Sequence, residues 1–101
     1  DPNPPWRDRK ERYLEHLRSA APDVRWVALA DKVHNSRTIL KDLYRHGEIV
    51  WDRFNGGREG TLWYFRSLVE CFRMTGDSYL LRELERVVSE LERLAAFNAS
   101  Y

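Results

Sequence analysis

Apolar residues recur at steps of three and four along most of the chain, the spacing of amphipathic helices. Trp6, Tyr13, Leu14 and Leu17 predict a first helix over about residues 5–19. It follows an extended DPNPP leader, because each proline disfavours helix in the residue before it, while Pro5 suits a first helical turn. A second helix is predicted from about residue 22 to residue 46, where Gly47 suits a C-terminal stop. Ile49, Val50, Trp51 and Phe54 predict a short helical turn over 48–54, packed on the core. Asn55-Gly56-Gly57 is the clearest loop signal. Leu62, Phe65, Leu68, Val69 and Phe72 predict a third helix over about 58–74. The turn at 75–78 then ends in two N-cap residue types, Asp77 and Ser78. In the fourth helix, about 79–97, Leu80, Leu84, Val87, Leu91 and Leu94 form a heptad-like seam backed by Leu81, Val88 and Ala95. No strand pattern, internal repeat or low-complexity stretch appears. The expected fold is all-α, a bundle of about four helices plus a short helical turn, in one unit over residues 1–101.

The segment LADKVHNSRTIL, residues 29–40, sets a carboxylate in an otherwise apolar run. Asp31 follows Val24, Trp26, Val27, Ala28, Leu29 and Ala30 and precedes Val33. At about 3.6 residues per turn it projects on the side of Val24, Val27 and Ala28. Asn35 and Thr38 follow one and two turns on. This stripe is expected to face protein, and Arg25, Lys32 and Ser36 to fall on the opposite side. A buried carboxylate has to be paired, hydrogen-bonded or bound to a metal. Asp31 is therefore the candidate acidic site, with Asn35 and Thr38 as its polar neighbours. The plainer alternative is an ion pair with Arg7, Arg12 or another arginine that only staples helices together.

A length of 101 residues suits one domain with one modest core. A net charge of +1 makes no electrostatic case for binding nucleic acid or an anionic membrane. No apolar run approaches a membrane span, and no signal peptide is visible. The single cysteine, Cys71, excludes an intrachain disulfide and a cysteine-based zinc site, and it fits a reducing, cytoplasmic setting. The chain starts at Asp1 and its one methionine is Met74, so a processed or cut N-terminus is expected.

LADKVHNSRTIL resembles the last sequence motif of the HD-domain metal-dependent phosphohydrolases. It is most similar to the branch related to the hydrolase domain of RelA/SpoT homologues, where LADRLHNxRTL recurs. The flanks are similar too. PPWRDRKERYLEHL resembles the basic helix before that motif, and WDRFNGGREGTLWYFRSLVECF the segment after it in a bacterial subgroup of small HD proteins. Together these cover about residues 4–72. The resemblance implies the C-terminal half of a larger HD domain. HD hydrolases use four metal ligands: a first His, an adjacent His-Asp pair and a final Asp. Asp31 matches that final Asp. Asn35 and Thr38 match polar residues that contact the nucleotide in the alarmone-hydrolysing branch. The intact parent would then use a divalent metal such as Mn²⁺ to hydrolyse a phosphate ester or pyrophosphate, with a (p)ppGpp-like nucleotide as the leading substrate.

The departure from the family is severe. His16, His34 and His46 are followed by Leu, Asn and Gly, so no His-Asp pair occurs. The first three ligands are missing. The expectation is a chain that neither hydrolyses nucleotides nor holds a metal by itself, with His34 packing between helices and Lys32 outside the cleft.

Two further readings come from other classes. One is a non-catalytic helical interaction protein that keeps the HD scaffold. The other treats the fourth helix as an oligomerisation element. A homo-oligomer is expected, first through the Val24, Val27 and Ala28 side and second through Leu84, Val87, Leu91 and Leu94. Trp6, Trp26, Trp51 and the Trp63-Tyr64-Phe65 run read as core rather than as a base-stacking surface. Asn55-Gly56-Gly57-Arg58 lacks the Lys-Ser/Thr of a phosphate-binding loop and reads as a turn. Cys71 reads as a small buried residue rather than a nucleophile. The glutamates read as solvated faces with local Arg or Lys partners.

Overall fold

A computed structural model describes residues 5–99, so the leader at 1–4 and residues 100–101 lie outside the described residues. Four α-helices follow one another: α1 (Trp6–Ser19), α2 (Pro22–His46), α3 (Gly57–Arg73) and α4 (Tyr79–Ala99). A 3₁₀ helix (Gly47–Arg53) joins α2 to α3, and no strand occurs among the described residues. The bounds agree with the hydrophobic period to within two residues.

Local chemistry accounts for where the helices start and stop. Pro22 opens α2, where its missing N–H is no loss. Gly47 closes α2 at φ 75°, donating its N–H to the Leu43 carbonyl. A side chain strains that left-handed conformation, which is why glycine ends the helix there. Ser78 caps α4, its Oγ accepting the Leu81 N–H at 3.1 Å.

α4 lies against α2 and α3, α1 lies on α3, and the 3₁₀ helix packs on α2 and α3. The smallest extent of the fold is 19 Å, about two helix diameters. Leu17, Val50, Leu68, Val69, Phe72, Leu84, Val87, Val88 and Leu91 make the centre of the core. Of the α4 seam, Leu84, Val87 and Leu91 are fully covered inside the chain, while Leu94 is only partly buried. Ion pairs also tie helices together rather than only decorating them. Arg37–Glu83 at 2.9 Å joins α2 to α4, and Arg66–Glu92 at 2.5 Å joins α3 to α4. No described helix is long and apolar enough to cross a membrane.

The facing of α2 differs from the expectation. Arg25, Leu29, Val33, Ser36, Ile39 and Leu43 are buried, while Val24, Val27 and Asp31 are exposed. The core side is rotated by roughly 130° from the Asp31 stripe. Polar residues on the inward stripe hide it in the sequence, and each has a local solution. Arg25 caps helix-end carbonyls, donating from Nη2 to Cys71 at 2.7 Å and from Nη1 to Leu17. Ser36 donates back to the Val33 carbonyl of its own helix at 3.0 Å. Lys32 lays its stem on apolar surface and carries its ammonium to aromatic rings.

Candidate functional site

A groove of about 570 Å³ opens where α1, α2, α3 and the loop after the 3₁₀ helix converge. α1 contributes Lys10 and Arg9, and α2 contributes Lys32, Asn35 and Thr38. Tyr64 and Thr61 of α3 form buried parts of its wall. Thus Asn35 and Thr38 share one groove, as their spacing of three residues on a helix allows.

Asp31 is at the edge of this region rather than buried, with its side chain 58% exposed. Its Oδ2 accepts from Asn35 Nδ2 at 3.3 Å and lies 3.5 Å from Lys32 Nζ. The arginine partners considered for it are not used: Arg7 pairs with Glu11 at 3.0 Å, one turn along α1. Thr38 donates its hydroxyl to the His34 carbonyl at 3.1 Å, which leaves the oxygen lone pairs facing outward. His34 is exposed beside the groove instead of packing between helices. Lys32 also departs from the expectation. It lines the groove, because it shares the inward side of α2 with Leu29, Val33 and Ser36.

The groove floor has an uncommon electrostatic make-up. Lys10 Nζ is 4.7 Å from the centre of the Tyr64 ring, and Lys32 Nζ is 5.8 Å from the same centre. Lys32 Nζ also stands 5.1 Å from the Tyr13 ring. Burial, followed by the charges of Lys32 and Arg9, lowers the Lys10 pKa from its ordinary value. Burial raises the Tyr64 pKa well above its ordinary value, with Tyr13 and Asp31 adding to the effect. Tyr13 is raised by burial and then by Asp31. Both phenols are therefore neutral hydroxyls at physiological pH. At the far end, Arg53 pairs with Asp42 at 2.9 Å.

A divalent metal needs several converging donors. The neighbours of Asp31 are a lysine and an amide. Among the described residues no three His, Cys, Asp or Glu side chains come together. These residues do not by themselves fit such an ion.

The remaining chemistry-bearing residues have structural roles. Cys71 is buried, with its Sγ 3.7 Å from the Leu14 carbonyl. Trp51, Tyr64 and Phe65 are core, and Trp6 and Trp63 meet edge to face at 6.1 Å, but Trp26 is 53% exposed. The turn read over residues 55–58 is confined to Asn55-Gly56; Gly57 donates its N–H to the Phe54 carbonyl at 2.9 Å and, with Arg58, opens α3. Lys10, Lys32 and Tyr64 are the groove residues that sequence reasoning missed. Counting the α2 stripe from Leu29, Val33, Ile39 and Leu43 instead of Val24 and Val27 would have turned Lys32 inward. No protein-family model matches this chain, and no curated protein matches it.

Proposed function

We propose that this chain carries the nucleotide-holding side of an HD-type phosphohydrolase domain. The observation that carries the reading is the shared groove of Asn35 and Thr38, with Asp31 hydrogen-bonded to Asn35. These are the three positions of LADKVHNSRTIL to which the resemblance assigns the final metal ligand and the nucleotide contacts. Asn35 keeps its carbonyl oxygen and one N–H for a base or sugar edge. Thr38 offers acceptor lone pairs beside it. The leading ligand is a guanosine polyphosphate of the (p)ppGpp kind, and Asp31 is the one carboxylate this segment supplies to the hydrolytic centre of the parent. With a single such carboxylate, the activity of these 101 residues is binding, not turnover.

Calorimetric titration with guanosine 3′,5′-bis(diphosphate) tests the reading. Saturable binding is expected, weakened about tenfold or more when Asn35→Ala and Thr38→Val are combined, since two polar contacts of ordinary strength are removed. Absence of binding, or binding indifferent to the double substitution, would overturn it.

A second reading rests on one further observation. Val24 and Val27, one turn apart on α2, are 46% and 69% exposed. A small helical protein that pairs with a second copy through this side, without chemistry, accounts for their exposure.

A further inference from the structure

We infer that Lys10 and Lys32 form a cradle for a phosphoryl anion, built from two helices over the face of Tyr64. The inference rests on reading the groove as a nucleotide site, and it names the groups that take the phosphates of that ligand. Asn35 and Thr38 are left to hold the base or sugar.

The two ammonium groups reach the same ring from different helices, at 4.7 and 5.8 Å from its centre. Lys32 is largely enclosed, with a side chain only 14% exposed, and among the described residues its ion-pair partner is Asp31 at 3.5 Å. Among the described residues no carboxylate is in ion-pair contact with Lys10 or with Arg9, which lines the groove beside it. One lysine on a ring face is an ordinary way to pin a helix. A second, aimed at the same ring, adds like-charge repulsion that packing does not require. The burial and charge that lower the Lys10 pKa express the same strain. A doubly charged anion between the two ammoniums relieves it, and charge-assisted hydrogen bonds at a partly desolvated site are strong. The wall residues fit this ligand. Thr61 lines the groove, and the Tyr64 phenol stays protonated there. Asp42, the acidic residue of the wall, is neutralised by Arg53 at 2.9 Å.

The experiment uses the whole chain and three probes: inorganic pyrophosphate, guanosine 5′-diphosphate and uncharged guanosine. Lys10→Met and Lys32→Met remove each charge and keep the stem. Lys10→Arg keeps the charge, and Lys41→Met removes an exposed charge elsewhere on α2. Circular dichroism verifies the fold of each variant. Pyrophosphate is expected to bind, more weakly as salt is raised. Lys10→Met should lower its affinity about tenfold or more, as loss of a charged hydrogen-bond partner does. Lys10→Arg should restore most of it and Lys41→Met should leave it unchanged. Loss in Lys10→Met no larger than in Lys41→Met would overturn the cradle, as would no binding of pyrophosphate or the diphosphate. If the diphosphate binds through Asn35 but ignores both lysines, the cradle is wrong and the nucleotide reading stands. If both anions bind through the lysines with equal affinity, and Asn35→Ala changes neither, the cradle stands and the nucleotide reading is wrong.

Discussion

Arg25 donates from Nη2 to the carbonyl of Cys71 at 2.7 Å, forty-six residues away and inside the core. The same guanidinium reaches the Leu17 carbonyl, so one cation ties the ends of α1 and α3 to the start of α2. Helix C-termini carry partial negative charge on their last carbonyls. A cation there is favourable without a carboxylate partner, and only Nε of Arg25 is left without a hydrogen bond among the described buried side-chain atoms.

Arg25→Met should therefore destabilise the fold although it fills similar space with a more apolar chain. Two charged hydrogen bonds to buried carbonyls are lost, each carbonyl retaining a backbone donor, from Ala20 and from Met74. A loss of about 2 kcal/mol is expected, or a fall of roughly 10 °C in Tm for a domain of this size. A thermal melt followed by circular dichroism measures it, and an unchanged Tm contradicts the role assigned to Arg25.

Glu48 gives the fold an acid-sensitive joint. It accepts from Trp51 Nε1 at 2.9 Å, Asn98 Nδ2 at 3.1 Å and Arg58 Nη1 at 3.2 Å. Burial pushes its pKa up, but the hydrogen bonds from Trp51, Asn98 and Arg58 together outweigh it, and the pKa lies below its ordinary value. The folded state thus binds the proton more weakly than the unfolded one. The stabilisation is complete above the unfolded value, about 4.3 for a free glutamate, and is lost as pH falls through the lower folded value. Glu48→Gln should cost under about 1 kcal/mol at pH 7, given its partial exposure. Denaturant melts at pH 7 and pH 3 should show that difference shrinking in acid; an equal difference at both would rule the joint out.

The exposed Val24–Val27 side of α2 makes self-association a measurable expectation. Light scattering at micromolar concentration should give a mass near twice the 12.1 kDa of one chain. Val27→Lys should shift it to the monomer with Tm changed by only a few degrees, because Val27 is 69% exposed and contributes little to the core. A sharp monomer in the unaltered protein would remove this surface as an interface.

Hydrolysis by the 101 residues themselves is not expected. With Mn²⁺ or Mg²⁺ and a guanosine polyphosphate, phosphate release should equal that of Asp31→Ala. Metal-dependent turnover that disappears in Asp31→Ala would show that this segment alone assembles a catalytic centre.

Helix number, type and bounds were legible in the chain because they depend on local rules. Pro22 and Gly47 mark the ends of α2 by backbone geometry, Ser78 caps α4, and the period of Leu84, Val87 and Leu91 selects a buried stripe. Cys71 could be read as buried for similar reasons. That Asn35 and Thr38 share a helix face followed from their spacing; the groove they line needs α1 and α3 as well.

Which side of α2 turns inward was decided only by tertiary structure. Along this helix two apolar stripes compete: Val24, Val27 and Ala28, and Leu29, Val33, Ile39 and Leu43. The sequence contains both. α4 and the 3₁₀ helix cover most of the second, and Arg25, Lys32 and Ser36 are tolerated there because each finds a carbonyl or an aromatic face within reach. The acidic site accordingly moved to the rim, and the groove acquired Lys32. Its pairing with Lys10 over Tyr64 joins residues of three different helices. Periodicity reports how residues share one helix face. It carries no information on which faces meet, because that depends on how whole helices fit together.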